Sequence, residues 1–328
     1  MKASFITWLP HCRRSDALAA VLGGKSYLIH YLGFKRPWQA LLKYPLQTLI
    51  TFVRLYRDKP GSILVATPPV FAALPVYAYA RTRGIPFVVD AHTGTFDNSR
   101  WTWLLPLSRW MSRRATLTIV TNEYLAGIVQ SWGARVIVIG IVPIVFPPAQ
   151  ATKLGDGINV AVISTFSHDE PIEAIVDAAR NVPSVSFYIT GDIRRAPQSL
   201  QTAATLNVHF TGWLSEERYT SLLKAATAIM VLTTRDHTMQ RGAYEAMALE
   251  KPLITSDWPL LRQTFSMGTV YVDNTTAGIT VGLKAMIREH ERLASEMREL
   301  HHKRDVEFRI RLDQFLTIVK QHHLGNKR

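Results

Sequence analysis

The sequence contains one cysteine, Cys12, so a disulfide cannot form within the chain. The N-terminal apolar stretch is too short for a secretion signal, and no small-residue cleavage site follows it. Both observations favour a cytoplasmic location. An uncharged run at 60–80 is interrupted by Pro68, Pro69 and Pro75, whereas a membrane-spanning helix needs about 20 uninterrupted apolar residues. We interpret this run as a buried strand followed by a buried helix.

Several catalytic motifs are also missing. The spacings HExxH, CxxC and DxD, which accompany metal sites, do not occur. The phosphate-binding loop GxxxxGK[ST], a GxGxxG after the first strand and the GxSxG turn are absent as well. We therefore expect no bound metal and no cofactor. The same absences argue against nucleoside-triphosphate hydrolysis, nicotinamide-dependent redox chemistry and serine hydrolysis.

Acidic residues are scarce in the first half of the chain. Residues 1–150 contain 17 Lys and Arg but five Asp and Glu, together with six of the eight tryptophans. Residues 151–328 contain 21 basic and 20 acidic residues. A basic surface with interfacial aromatic residues suits anionic lipid headgroups. A nucleic-acid binder or an ordinary basic domain would give the same composition, so charge alone does not choose the partner.

Short apolar strands alternate with helical stretches. In the first half we predict strands at 4–10, 26–31, 62–68, 86–92, 116–121 and 135–140. After a Pro- and Gly-rich linker at 142–157, further strands are predicted at 159–165, 185–192, 207–212, 228–234, 252–257 and 269–273. Strands that are apolar throughout are typical of parallel sheets covered on both faces. The pattern predicts an α/β fold of two Rossmann-like, doubly wound domains facing a cleft, 1–150 and 151–328, with the helical stretch 276–321 packing back on the first.

Two helices of the first half carry predictions of their own. A helix at 15–24 has Ser15 in position to cap its N-terminus. A longer helix at about 37–57 contains Pro45, where we expect a kink or a break.

Two basic, aromatic-rich stretches are typical of helices that lie on a membrane surface. Residues 36–58 mix apolar side chains with Lys43, Arg54 and Arg57, and residues 99–114 interleave three tryptophans with four arginines. Ordinary helices packed on a sheet, with solvated arginines, would show a similar composition.

The stretch DHTMQRGAYEAMA (236–248) places a polar loop after an apolar strand and begins a helix near Arg241. Ligands of open α/β sheets bind at the carboxyl ends of strands, beside helix N-termini. The free N–H groups of this helix suit a phosphate, and Gly242 would let a ligand approach the backbone. Glu245 offers a carboxylate to the two hydroxyls of a ribose. Alternatively, Glu245 only favours the helix N-terminus electrostatically.

The string YEAMALEKPLITSD (244–257) resembles the glutamate-bearing motif of GT-B glycosyltransferases of family 4. The run NVHFTGWLSEERYTSLLKAATAIMVLTT (207–234) is similar to the segment that precedes that motif in the family. The similarity covers the whole chain in architecture and is loosest in the first half. It implies a GT-B fold, a nucleotide-sugar donor in the second domain, retention of anomeric configuration and no metal, in contrast to metal-dependent GT-A enzymes.

By this resemblance, Glu245 is the second glutamate of the family's E-x7-E pattern and binds the nucleotide ribose. The first glutamate, which contacts the donor sugar, would fall where this chain has His237, beside Asp236. Either residue is a candidate for that contact. The family's glycine–aromatic–glycine turn falls on Thr238, Met239 and Gln240. Both departures lie in the sugar pocket, so the sugar is not identified.

In the family, an arginine and a lysine after the first strand of the second domain hold the donor diphosphate. The matching loop here, STFSHDEP (164–171), has neither. It offers hydroxyls, among them Ser164, while Asp169 and Glu170 would repel a diphosphate unless they cap the next helix. Arginine binds phosphate through two parallel hydrogen bonds. The candidate replacement cations are Arg13, Arg14, Arg194, Arg195 and Arg241.

The first half contributes a second group of candidates. His92 lies at the end of the predicted strand 86–92, and a family histidine in a comparable loop contacts the donor sugar. Asp90 is a candidate for accepting a proton from the acceptor hydroxyl. Both could instead be turn residues that bond their own backbone. The catalytic candidates are therefore His92, Asp90 and His237.

These observations favour a retaining, metal-independent glycosyltransferase that uses a nucleotide-diphosphate sugar, with UDP favoured over GDP. The acceptor would be lipid-linked or a glycan in cell-surface glycan synthesis, and the enzyme would lie on the inner face of an anionic membrane. The alternatives are a GT-B nucleotide-sugar epimerase and a non-catalytic GT-B scaffold. We expect no nucleic-acid partner.

Overall fold

A computed structural model describes residues 3–31, 39–140 and 142–325, with side chains up to residue 322. Within them, two parallel sheets of six strands each are formed. The first sheet contains β1 (Ala3–Thr7), β2 (Lys25–Leu28), β3 (Ser62–Thr67), β4 (Phe87–Ala91), β5 (Leu117–Val120) and β6 (Val136–Val138). The second contains β7 (Ile158–Val162), β8 (Val185–Thr190), β9 (Val208–Gly212), β10 (Ala228–Val231), β11 (Leu253–Ser256) and β12 (Thr269–Val272).

Helices connect the strands. In the first half they are α1 (Arg13–Val21), α2 (Ala40–Asp58), α3 (Ala73–Arg83), α4 (Gly94–Asp97), α5 (Ser99–Thr102), α6 (Leu105–Ser112) and α7 (Glu123–Ser131). The others are α8 (Ile172–Arg180), α9 (Gln198–Ala203), α10 (Glu216–Ala225), α11 (Arg241–Ala248), α12 (Pro259–Thr264) and α13 (Thr276–Gly325). Short 3-10 turns lie at Val70–Ala72 and Ile193–Arg195.

The strand orders are β2-β1-β3-β4-β5-β6 and β12-β11-β10-β7-β8-β9. In each sheet the order reverses once, between β1 and β3 and between β7 and β10. Doubly wound sheets bind ligands in the crevice at such a reversal, outside the carboxyl ends of the two strands. The topology therefore marks the residues after β7 and β10 as the place to look in the second sheet.

Buried side chains on both faces explain why the strands are apolar throughout. Every residue of β1, β3, β4 and β5 is buried. Apolar clusters form on the two sides of the first sheet, and a further cluster joins β7, β8 and β10 to α8 and the beginning of α13.

The chain divides into two compact units: Met1–Val142 with Val306–Arg328, and Pro143–Asp305. The division falls at the start of the predicted linker rather than at residue 150. Helix α13 contributes to both units, because its residues from Val306 onward are grouped with the first. Phe308, Phe315 and Val319 are buried in the same cluster as Phe5 and Leu117.

Two predicted features of these helices, a cap at Ser15 and a break at Pro45, are wrong, while a kink at Pro45 stays a prediction. Cys12, not Ser15, precedes the first residue of α1. Ser15 instead lies inside the helix, where its hydroxyl accepts from Thr7 Oγ1 at 2.9 Å and donates to Cys12 Sγ at 3.1 Å. Helix α2 is not broken at Pro45 but continues from Ala40 to Asp58; the first residues of its predicted range, 37 and 38, lie outside the described residues.

Candidate functional site

The residues after β7 and β10 form a joined pair of loops at the reversal point of the second sheet. Asp169 connects them: its carboxylate accepts from Ser167 Oγ at 2.6 Å and from Thr233 Oγ1 at 3.1 Å. Its carbonyl accepts from the Thr234 amide at 2.8 Å. Burial raises the pKa of Asp169, but the hydrogen bonds from Ser167 and Thr233 outweigh it, so the net shift is downward. The carboxylate is thus held ionised as a structural link between the loops.

Thr233 is held from a third side by the loops after β11 and β12. Its amide donates to Ser256 Oγ at 2.8 Å, and its carbonyl accepts from Asn274 Nδ2 at 3.1 Å and from Trp258 Nε1 at 2.9 Å. These bonds fix the start of the loop that leads to α11. The loop that contains the candidate residues 236–241 is therefore anchored at Thr233.

Glu245 lies one turn into α11 and its side chain is 4% exposed. Its Oε1 accepts from Arg241 Nε at 2.7 Å, and its Oε2 accepts from Tyr219 Oη at 2.6 Å. Tyr219 comes from α10, so the carboxylate is held from two helices. A carboxylate has about four acceptor positions, so these two bonds leave capacity for ligand hydroxyls.

Arg241, Gly242 and Gln240 have distinct surroundings at the start of α11. Arg241 is 44% exposed although it pairs with Glu245. Gln240 donates from Nε2 to the carbonyl of Leu232 at 2.9 Å, while its buried Oε1 has no hydrogen-bond partner among the described residues. The glycine is required by packing: a Cβ at position 242 would lie 2.8 Å from Ile163 Cδ1. Gly242 thus also lets α11 approach the sheet closely, and the approach of a ligand to its backbone stays a prediction.

Asp236, His237 and Thr238 form the tight turn before α11. His237 has a positive φ of 55°, and its amide donates to Asp236 Oδ1 at 2.6 Å. Thr238 Oγ1 donates to the carbonyl of Asp236 at 3.3 Å. Both side chains of the Asp236–His237 pair remain partly exposed, at 36% and 44%. They are accessible to a ligand at this edge of the sheet.

Ser164 and Glu170 interact directly in the loop after β7. Ser164 is buried and donates from Oγ to Glu170 Oε2 at 2.7 Å. Glu170 therefore does not cap α8; its carboxylate turns back onto residues 164–167.

Arg194 does not join this pair of loops. Its guanidinium binds Asp192 through Nε and Nη2, both at 2.8 Å, and is 86% exposed. The neighbouring Arg195 reaches the loop instead, donating from Nη1 to the carbonyl of Thr165 at 3.3 Å.

The first unit groups Asp90, His92 and Arg14. Asp90 is 1% exposed and accepts from Arg14 Nε at 3.2 Å, and His92 Nε2 lies 3.1 Å from its Oδ2. Burial raises the pKa of Asp90, but Arg14 and His92 outweigh it and lower the value to about 2. A carboxylate of such low pKa is a weak base, so Asp90 is poorly suited to accept a proton. The side chain of His92 is 23% exposed and is the member of the pair that a ligand can reach.

Arg14 also donates to the carbonyls of Ile139 and Gly140, at 2.5 and 3.3 Å. Its guanidinium thus ties α1 to β4 and to the end of β6 within the first unit. Arg13, the first residue of α1, is exposed.

Sequence reasoning missed Tyr219 and the actual contacts of Glu170. No local pattern identifies Tyr219, because it precedes Glu245 by 26 positions and lies on another helix. The string STFSHDEP did show that a carboxylate stands where a cation is expected, but not where it points.

Two further findings concern the described ranges only. They contain no group of three or more His, Cys, Asp or Glu side chains placed to hold a metal ion. None of the helices found in these ranges is both long and apolar enough to cross a membrane.

Comparisons with known proteins agree with this architecture. Residues 158–309 match the family model described as "Glycosyl transferases group 1". No curated protein matches the chain in sequence.

Solved structures match over nearly the whole chain at low identity. Sucrose-phosphate synthase from Thermosynechococcus elongatus is 12% identical, with a TM-score of 0.73 over 99% of this chain and 100% of that one. Anabaena HepE, solved with UDP and glucose, is 14% identical, with a TM-score of 0.68 over 97% and 99%. A UDP-forming α,α-trehalose-phosphate synthase from Burkholderia xenovorans is 12% identical, with a TM-score of 0.66 over 98% and 99%.

The predicted fold of two Rossmann-like, doubly wound domains is confirmed by these matches. The matched residues cover most of the second unit, including the loops after β7 and β10 and helix α11. The chain therefore has the GT-B fold, and its residues 158–309 match the group 1 glycosyltransferase family.

Proposed function

We propose that the chain transfers a sugar from a UDP-sugar to a lipid-linked or glycan acceptor in cell-surface glycan synthesis. The observation that carries the donor part is Glu245: a buried carboxylate at the reversal point of the second sheet, oriented by Arg241 and Tyr219. Such a fixed carboxylate is suited to two ribose hydroxyls. UDP is favoured because the structure of HepE, a similar protein, contains UDP and glucose.

The other donor contacts follow from the same loop. The N–H groups at the start of α11 and the exposed guanidinium of Arg241 would hold the diphosphate as it leaves. Asp236, His237, Thr238 and Gln240 would contact the sugar. In the first unit we assign the catalytic contact to His92, with Asp90 orienting it. Retention of configuration, hexosyl transfer and independence of metal remain predictions from the family resemblance.

The exposed surface of α2 supports contact with a membrane. Leu42, Leu46, Leu49, Val53 and Tyr56 follow one another at intervals of three or four residues, and each is between 38% and 63% exposed. Residues at this spacing share one face of a helix. This helix therefore directs an apolar face toward solvent.

The opposite face of α2 is polar and buried. Lys43, Gln47 and Thr51 are each at most 2% exposed. Lys43 Nζ lies 2.8 Å from His30 Nε2, and Trp8 Nε1 donates to Thr51 Oγ1 at 3.1 Å. These partners serve Lys43 and Thr51 away from water, whereas Gln47 Oε1 has no hydrogen-bond partner among the described residues.

Basic groups accompany the apolar face. Arg57, at the end of α2, is 59% exposed, and Lys59, directly after the helix, is exposed as well. An apolar face with basic neighbours is typical of interfacial helices on anionic lipid. Arg36 and Trp38, at the start of the predicted stretch, lie outside the described residues.

A nucleotide panel tests the donor part. UDP, GDP, ADP and their common sugar conjugates are added to the wild type and Glu245→Ala, and the thermal unfolding midpoint is recorded. A ligand at about 100 times its Kd stabilises the fold by about 2.7 kcal/mol. We expect stabilisation by uridine nucleotides, lost in Glu245→Ala and kept in the control Glu217→Ala, an exposed glutamate of α10. Absence of any shift in a folded sample would refute the donor site, and binding without sugar transfer would favour the scaffold alternative.

A further inference from the structure

Glu170 occupies a group of hydrogen-bond donors in the loop after β7. Its Oε2 accepts from Ser164 Oγ at 2.7 Å, from the Thr165 amide at 2.9 Å and from the Ser167 amide at 3.3 Å. Its Oε1 accepts from Thr165 Oγ1 at 2.9 Å. Two backbone amides and two hydroxyls therefore converge on one carboxylate.

The backbone of this loop has one feature of an anion-binding turn, a left-handed residue between two donating amides. Phe166, between the two donating amides, has a positive φ of 54°, and its own amide donates to Ser164 Oγ at 2.9 Å. Successive N–H groups that alternate between right- and left-handed backbone form a concave site for anions. Residues 164–167, with Glu170 removed, would present such a site at the carboxyl end of β7.

The loop that Glu170 fills lies where the phosphates of a donor would be expected to bind. Asp169, the residue before Glu170, is bonded to Thr233 and Thr234, so the loop adjoins the segment leading to α11. A diphosphate at the reversal point would ordinarily gain from amides after the first strand. Here those amides are already engaged, and a second anion would meet the charge of Glu170.

We propose that Glu170 is a built-in anion that keeps the donor's phosphates off residues 164–167. The inference rests on the proposed function, since it specifies how the donor is held. The β-phosphate then gains little from this loop and depends on the N–H groups of α11 and on Arg241. Glu170 thereby limits the affinity for UDP, and so favours release of the leaving nucleotide.

The test compares UMP with UDP, because the two differ only in the β-phosphate. Isothermal titration of the full chain is carried out with UMP, UDP and inorganic pyrophosphate on the wild type, Glu170→Gln and Glu170→Ala. Glu173→Gln is the matched control, since it removes the same charge from an exposed position of α8. The side-chain amide of Glu170→Gln can still occupy the turn, so Glu170→Ala is included because it removes the whole side-chain group.

We expect removal of the carboxylate to raise the ratio of UDP to UMP affinity by about tenfold, since a like charge close to the phosphate is lost. Pyrophosphate should bind more tightly to both variants, and Glu173→Gln should behave as the wild type. If the wild type binds UDP and the ratio is unchanged in both Glu170 variants, Glu170 only shapes the loop and the inference fails alone. If neither the wild type nor the variants bind UDP, the inference fails together with the proposed function.

Discussion

At the scale of single residues, charged and polar groups have more specific roles than their types indicate. Asp90 and Glu245 are both buried carboxylates that accept hydrogen bonds from an arginine and from a second residue. Asp90 belongs to the first unit and orients His92. Glu245 lies on α11, beside the reversal point of the other sheet. Their surroundings, not their chemical type, separate an orienting carboxylate from a candidate ligand contact.

Asp90→Asn should destabilise the chain by about 3 kcal/mol at pH 7, because Arg14 loses its buried partner. The folded pKa of Asp90, about 2, lies below its ordinary 3.8. Its ionisation therefore contributes stability above pH 3.8, about 2 kcal/mol, which disappears as the pH falls from 3.8 toward 2. Denaturant unfolding of both proteins between pH 7 and pH 2.5 measures the difference.

The difference between wild type and Asp90→Asn should shrink at the acid end of that range. Asp16→Asn, at an exposed position of α1, is the control and should cost less than about 1 kcal/mol. A difference independent of pH would show that Asp90 is not ionised in the folded state.

Gly242→Ala should destabilise the second unit by about 1–3 kcal/mol, because the new Cβ would meet Ile163 and Val231 at 2.8 and 2.9 Å. Gly127→Ala is the matched control: it is also a helix glycine, and a Cβ there meets nothing within 4 Å. That change should stabilise α7 by about 0.5–1 kcal/mol through helix propensity. Thermal unfolding of the two variants decides the matter, and equal midpoints would contradict the packing role of Gly242.

At the scale of elements, α13 and α2 show that sequence position and hydrophobic pattern do not fix where a helix packs. Helix α13 begins in the second unit, but its residues from Val306 are grouped with the first. Helix α2 buries Lys43 and Gln47 while it exposes leucines. In both helices, the neighbouring side chains of the folded chain decide which face is covered.

Phe315→Ala should cost about 3–5 kcal/mol, because it opens a cavity in the cluster that contains Phe5 and Leu117. Ile310→Ala, at a position of the same helix that is 53% exposed, should change stability by about 0.5 kcal/mol or less. Chemical denaturation gives both values. Equal effects would mean that the end of α13 contributes nothing to the core of the first unit.

At the scale of the whole molecule, the uneven charge is the main feature available to a partner. Nearly all of the net charge of +13 comes from residues 1–150. The same half contains the exposed apolar face of α2. Attraction by the basic residues would act over about 10 Å at ordinary salt, and the apolar face would act on contact.

The chain should bind vesicles of zwitterionic lipid only when an anionic lipid is included, and more weakly at high salt. Leu42→Ser with Leu49→Ser should lower the partition coefficient by about tenfold, because two apolar side chains no longer enter the interface. The control, Leu206→Ser with Val281→Ser, changes two residues of the second unit that are more exposed than Leu42 and Leu49. Vesicle sedimentation measures binding. Equal loss in both double variants would refute a membrane contact through α2.

The sequence alone determined the order of strands and helices and the fold, because a parallel sheet covered on both faces leaves a local, repeated apolar pattern. It also indicated α11 and Glu245, since a strand, a polar loop and a helix start are contiguous in the chain. Only the tertiary structure decided what those residues contact. Tyr219 meets Glu245 across 26 positions, Arg14 meets Asp90 across 76, and Glu170 turns back onto its own loop. Such contacts depend on how distant segments pack, and no local pattern records that packing.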